Sequence, residues 1–153
     1  MDDIDAGSSD FERIAAECPG FQARAMARTL TRYYNAHFKP LDLTSEQFSL
    51  LVGVGAKEGS TLAELAASAG IDATTLSRNV RSLAARGLLQ IEGGRGRAGK
   101  QLCLSVAGRL LMAKALPVWK SAKTELTRQM GDQQLRSAIA AMAELKKAAD
   151  STE

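Results

Sequence analysis

At 153 residues, with 20 Lys and Arg against 17 Asp and Glu and a formal net charge of +3, the chain has the size of one compact domain or one protomer of an oligomer. That excludes a large multidomain enzyme. Ala (26) and Leu (19) dominate and only seven residues are aromatic, a composition that favours helices over a sandwich or barrel. Two cysteines, Cys18 and Cys103, and one histidine, His37, are too few for a disulfide scaffold or a four-ligand zinc site, so neither a structural metal nor a cofactor is expected. No run of about 18 apolar residues occurs, and Met1, Asp2, Asp3, Ile4 and Asp5 are acidic where a secretory signal would be basic and then apolar. A soluble, cytoplasmic protein without a membrane partner is expected. The charge is uneven. Residues 1–17 hold six acidic and one basic side chain, whereas 72–100 hold six basic and two acidic. Such a basic block attracts polyanions unless it is only a solvated helix face.

In chain order, residues 1–20 read as an acidic N-terminal segment ended by Cys18, Pro19 and Gly20, which break any helix; Pro19 suits the first position of a new one. Ala25, Met26, Leu30, Tyr33 and His37/Phe38 then recur at helical spacing until Pro40, predicting a helix of about 18 residues within 21–43. Thr44 with Gln47 has capping-box spacing and opens a second helix, with Phe48, Leu51 and Val52 on its inner face and its end among Gly53, Gly55 and Gly59. Thr61 with Glu64 opens a third, which turns Leu62, Leu65 and Ala66 inward and stops at Gly70. Asp72 is a good N-cap for a fourth, with Leu76, Val80 and Leu83 inside. Two short helices about a glycine turn make a helix-turn-helix.

Gly87 ends the fourth helix. Residues 88–91 and 100–104 read as two strands of a hairpin wing whose tip holds four glycines with Arg95 and Arg97. Leu110, Leu111, Ala115, Val118, Trp119, Ala122, Leu126 and Met130 keep helical spacing through Pro117, which should kink the helix without ending it. After Gly131 a last helix carries Leu135, Ile139, Met142 and Leu145 before a polar tail. A helix over 106–129 would be about 36 Å long, more than a head of about 60 residues can cover, so a homodimer built from both termini is expected. The alternative is a monomeric bundle. The fold class is thus mainly α with a small β-hairpin wing: a head over 44–105 flanked by dimerisation helices over 21–43 and 106–153.

This order, with certain words in the sequence, resembles the MarR family of winged-helix transcriptional regulators. The words are Leu43 and Thr44 with Gln47 and Phe48; Glu64, Leu65 and Ala66; Thr75, Leu76, Ser77 and Arg78; Leu83 with Arg86, Gly87, Leu88 and Leu89; and Leu104 and Ser105 with Gly108 and Arg109. None is specific alone, but their joint order spans residues 21–130. The resemblance implies a dimer that places two recognition helices in successive major grooves of a pseudo-palindromic operator in double-stranded DNA, often released by small molecules or oxidants. Family wings carry an Asp-x-Arg that braces an arginine for the minor groove. The loop from Gly93 to Lys100 has no aspartate, so Arg95 and Arg97 are expected to lack that brace.

With Leu76, Val80 and Leu83 turned inward, Thr74, Thr75, Ser77, Arg78, Asn79 and Arg81 are left to meet DNA. Arg can bond guanine O6 and N7, Asn can bond adenine N6 and N7, and hydroxyls suit phosphates. Arg95, Arg97 and Lys100 of the wing complete the expected set, and Thr61 caps its helix while touching phosphate; the plainer reading is that these side chains are only capped or solvated. By resemblance, a ligand crevice between the dimer helices and the head would draw on Phe21, Arg24, Arg28, Tyr33, Tyr34, His37, Phe48 and Trp119, and arginine beside aromatic rings suits an aromatic or phenolic carboxylate. Aromatics at helical spacing also make ordinary core, and His37 suits a capping or interface group. The resemblance also implies a peroxide-sensing regulator as an alternative to a structural thiol at Cys18, which lies near where some relatives keep a sensing cysteine and at a helix start, where thiols can be reactive; Cys103 has no assigned role. The expected function is a dimeric repressor released by a small aromatic ligand. A winged-helix protein-docking module that does not bind DNA stays open. An enzyme is not expected, because no nucleophile-base pair or phosphate-binding glycine loop is present.

Overall fold

The computed structural model describes residues 7–93 and 99–151. It consists of helices α1 (Ser8–Glu17), α2 (Pro19–Phe38), α3 (Ser45–Ala56), α4 (Leu62–Ala69), α5 (Ala73–Ala85), α6 (Val106–Met130) and α7 (Asp132–Asp150), with strands β1 (Ser60–Thr61), β2 (Leu89–Gly93) and β3 (Lys100–Leu104). One 3-10 turn, Lys39–Leu41, follows α2. Among the described residues no helix is long and apolar enough to cross a membrane.

Local chemistry explains most boundaries. Thr44 accepts from the Gln47 N–H at 3.1 Å while its own N–H donates to the Gln47 side chain at 3.0 Å. Thr61 and Glu64 repeat the arrangement on α4, and the Asp72 carboxylate accepts from the Thr75 N–H at 2.9 Å. Each cap satisfies donors that a helix start leaves unpaired. Gly70, at φ 63°, supplies the left-handed residue that turns α4 toward α5.

Four expectations change. The acidic start contains a helix, α1: Phe11 and Ile14 fall three residues apart on one face, and Cys18 in extended conformation separates it from α2. The tail after Leu145 is also helical, continued by good helix formers and a Lys146–Asp150 ion pair at 3.0 Å. The sheet has a third strand: β1 pairs with β3 (Ser60 opposite Leu102, Thr61 opposite Gln101), while β2 pairs with β3 from Leu89–Leu104 to Gly93–Lys100, in the order β1-β3-β2. Two residues carry no periodicity of their own, so β1 is defined only by its partner. Val52, expected inside, is 44% exposed.

The core joins Phe38, Leu51 and Val54 from α2 and α3 to Leu65, Leu76, Val80 and Leu83 of the helix-turn-helix, Leu89, Leu102 and Leu104 of the sheet, and Ala115 of α6. α6 runs unbroken through Pro117 for 25 residues. Its first turn lies against the α5–β2 junction. Ser105 donates its N–H to the Leu88 carbonyl at 3.1 Å and its hydroxyl to the Gly87 carbonyl at 2.6 Å, and accepts from the Gly108 N–H at 2.9 Å. A Cβ at position 108 would collide with the Leu88 carbonyl oxygen, so only glycine allows this approach. Gly108→Ala is therefore expected to cost about 1–3 kcal/mol through forced backbone movement. Gly70→Ala, which meets nothing within 4 Å, should cost about 1 kcal/mol from its positive φ alone. Denaturant unfolding of both variants should rank them in that order.

Candidate nucleic-acid interface

Helix α5 buries Leu76, Val80 and Leu83, and its other residues divide between two faces. Thr74, Ser77, Arg78 and Arg81, at positions i, i+3, i+4 and i+7, line one shallow open depression with Ala73. Thr75 and Asn79 instead line a depression on the flank toward α3, with Ser45, Ser49 and Ile71 among its walls. The six side chains expected to form one reading set thus present a face of four and a flank of two. Among the described residues Arg78 and Arg81 make no ion pair, so both guanidinium groups are available to an anion.

Arg86 behaves differently. It donates to the Asp42 carbonyl at 2.7 Å, the Asp42 carboxylate at 3.3 Å and the Gln47 side chain at 3.2 Å. Asp42 has φ 49°, the one positive value outside glycine among the described residues, and its bond to Arg86 holds that turn against the end of α5. This arginine of the basic block is committed to structure. Lys100 is exposed at the start of β3, opposite Gly93. Arg95 and Arg97 lie outside the described residues.

Thr61 caps α4, and its hydroxyl lies 3.0 Å from the Glu64 carboxylate. The Thr61 N–H, 2.8 Å from Glu64, and then this hydroxyl hold the Glu64 carboxyl below its ordinary value. Gly99 meets Thr61 at the root of the wing: a Cβ there would stand 3.3 Å from the Thr61 methyl.

The eight expected ligand residues do not converge. Phe48 and Trp119 share an open, almost wholly apolar groove of about 540 Å³ between α3 and α6, lined also by Val52, Arg109, Met112, Ala113 and Leu116. Tyr34, Phe38 and Phe48 stack in sequence, with centroids 6.0 and 4.4 Å apart, which places Tyr34 at the core. Tyr33 donates to the Ala122 carbonyl at 2.9 Å, and burial, then the nearby Glu125 carboxylate, raises its phenol above the ordinary value. His37 bonds the Tyr33 carbonyl through Nδ1 at 2.9 Å and faces Glu125 through Nε2 at 3.5 Å. These two residues link α2 to α6. Arg24 folds back onto the Gly20 carbonyl at 2.9 Å; it, Phe21 and Arg28 are exposed on the first half of α2, with Phe21 about 20 Å along the helix from Tyr34. Cys18 and Cys103 are both free and half-buried.

The MarR family model matches residues 41–98. The transcriptional regulator MosR of M. tuberculosis is 33% identical, over 88% of this chain and 98% of that chain, with a TM-score of 0.73.

The chain belongs to the MarR family.

MosR in complex with DNA matches with 34% identity, 87% and 98% coverage and the same TM-score. The transcriptional repressor CouR bound to a 23-mer duplex, 22% identical over 87% of this chain and 95% of that one, superposes with a TM-score of 0.78, a likeness of fold. No curated protein sequence matches significantly. Arg86, Glu58 and Arg109 are structural ion-pair and hydrogen-bonding residues to which sequence reasoning assigned no role. Arg86 and Arg109 stood inside recognised words, but their partners lie 44 and 51 positions away, beyond any local signal.

The lowered Glu64 value predicts a pH effect with a definite sign. A carboxyl depressed in the fold stabilises it above the ordinary value of 4.5, and that contribution is lost as pH falls through the folded value. Glu64→Gln should lower the melting temperature at pH 7 and converge on the parent near pH 3; thermal melts across that range would check it.

Proposed function

We propose that this MarR-family chain is a dimeric DNA-binding repressor whose two α5 helices enter successive major grooves of a pseudo-palindromic operator, and that a small aromatic carboxylate releases it. The observation that carries this reading is the α5 face of Thr74, Ser77, Arg78 and Arg81, with two guanidinium groups that make no ion pair among the described residues beside two hydroxyls. Such a face offers bidentate donors to guanine and hydroxyls to phosphate. Thr75 and Asn79 would read from the flank, Lys100 would contact phosphate at the wing root, and Thr61 would add a phosphate contact to its cap. Arg95 and Arg97 are assigned the minor groove from sequence alone.

Dimerisation is supported by apolar residues left exposed on the terminal helices: Phe11 and Ile14 on α1, Phe21 on α2, and Ile139, Met142 and Leu145 on α7, each between 39% and 61% exposed. Neither α1 nor α7 has a buried residue, as expected of helices that complete their packing in a second copy. On this reading residues 44–105 form the head and 21–43 and 106–153, joined by α1, the dimer body. The effector reading rests on the groove holding Phe48 and Trp119. Solved CouR structures include one bound to p-coumaroyl-CoA.

Duplex titrations at several salt concentrations test the reading. Arg78→Ala should cost about 1–3 kcal/mol and relax one base preference, whereas Lys100→Ala should weaken all duplexes evenly and reduce the salt slope by about one. Duplex binding that is absent, or that neither variant changes, would overturn the assignment.

A further inference from the structure

The segment between α3 and α4 is held on two sides. On one, Gly59 donates its N–H to the Leu102 carbonyl at 3.0 Å, and Ser60 and Thr61 then pair with Leu102 and Gln101 of β3. On the other, the Glu58 carboxylate takes the Arg109 guanidinium of α6 at 2.7 Å and also accepts from the Leu104 N–H. A side-chain oxygen thus gives a β3 donor its acceptor beyond the two residues of β1. The hydrogen bond from Arg109 is the main reason that the Glu58 carboxyl lies below its ordinary value.

What this segment carries gives the contact its consequence. Thr61 is at once the N-cap of α4, the partner of Gln101 in β3 and the residue that Gly99 meets at the wing root. Arg109 directly follows Gly108, so one turn of α6 makes both contacts: residue 108 lies against the Leu88 carbonyl just after α5, and residue 109 holds the segment that leads into α4. The first contact is backbone against backbone and is fixed by the lack of a side chain. The second is an ion pair whose side chains are 56% and 36% exposed. Among the described residues no other ion pair joins α6 to residues 57–105.

We propose that Glu58 and Arg109 are positioning residues for duplex binding: their contact fixes the β1 segment on the first turn of α6 and so holds the Thr61 cap and the wing root in register with the α5 face, while neither side chain touches DNA. The inference rests on the duplex reading above and adds to it two residues outside the reading face. Its sign opposes simple electrostatics. Removing the Glu58 charge makes the head more positive, which by charge alone would tighten the hold on a polyanion. Releasing the segment loosens surfaces that must meet one duplex together, and ordering them again on binding weakens the complex.

Glu58→Gln keeps an acceptor for the Leu104 N–H and removes the charge. It is expected to bind duplex about two- to fivefold more weakly, the range that an exposed ion pair sets, with the salt slope of the parent because no phosphate contact is lost. Arg109→Gln should show a similar loss, and the double variant no more than either single one, since all three remove the same contact. In the chain without DNA, amide exchange at Gly59 and Thr61 should accelerate in each variant, while Leu88, whose N–H bonds the Leu83 carbonyl at 3.0 Å, keeps the parent rate. A general loss of stability would instead accelerate all three amides. The proposal is overturned if Glu58→Gln binds duplex as tightly as the parent or more tightly, if the two single losses add in the double variant, or if exchange at 59 and 61 is unchanged or rises together with Leu88. Because exchange is read without DNA, a parent that binds no duplex while its variants show this exchange pattern would overturn the duplex reading and leave the anchoring of β1 by Glu58 established.

Discussion

The approach of α6 to the end of α5 is the constraint on which the other elements depend. Because residue 108 has no side chain, the first turn of α6 sits against the Leu88 carbonyl, and Ser105 bonds Gly87, Leu88 and Gly108 at that point. Three elements converge there: α5 has just ended, β2 is about to start, and α6 begins its run toward the terminal helices. A shift at this contact would move the α5 face relative to α6. It also satisfies polar groups at a buried junction, which would otherwise carry a desolvation cost.

From that junction the basic residues separate into two kinds. Arg86 faces the α2–α3 turn and bonds Asp42 and Gln47, while Arg78 and Arg81 lie about two turns and one turn earlier, respectively, and keep their donors free of ion pairs among the described residues. The charge of the 72–100 block is therefore unequal in use: part of it sets the angle of α5 and part remains available to a polyanion. The same division holds on α6, where Arg109 is engaged with Glu58 at the edge of an apolar groove.

How much of this was legible follows the range of the interactions involved. Thr44, Thr61 and Asp72 announce their helices because a cap acts over three residues, and Gly70 marks its turn for an equally local reason. The buried stripe of Leu76, Val80 and Leu83 was readable from spacing alone. The two-residue strand β1 was not, since only pairing with β3 defines it. The separation of Thr75 and Asn79 from Thr74, Ser77, Arg78 and Arg81 depends on where α3 packs, and the Arg86–Asp42 and Arg109–Glu58 pairs depend on contacts across more than 40 residues. α1 was hidden by its acidic residues, although Phe11 and Ile14 were already spaced for one face. Of the eight residues expected at a ligand site, Phe48 and Trp119 share a groove because α3 and α6 pack side by side, while Phe21 and Arg24 lie too far along α2 to join them.

The central claim is that two copies of this chain pair through their terminal helices and hold their α5 helices one turn of DNA apart. The distance between the two copies of α5 tests it most directly. Spin labels at Ser82→Cys, an exposed position on α5, in a background with Cys18 and Cys103 replaced by Ser, would report that distance by dipolar spectroscopy. The account predicts a defined separation within about 25–45 Å, bracketing the turn of about 34–36 Å between successive major grooves, and a narrower distribution when duplex is added. An absence of dipolar coupling, or a separation outside that range that duplex leaves unchanged, would contradict it.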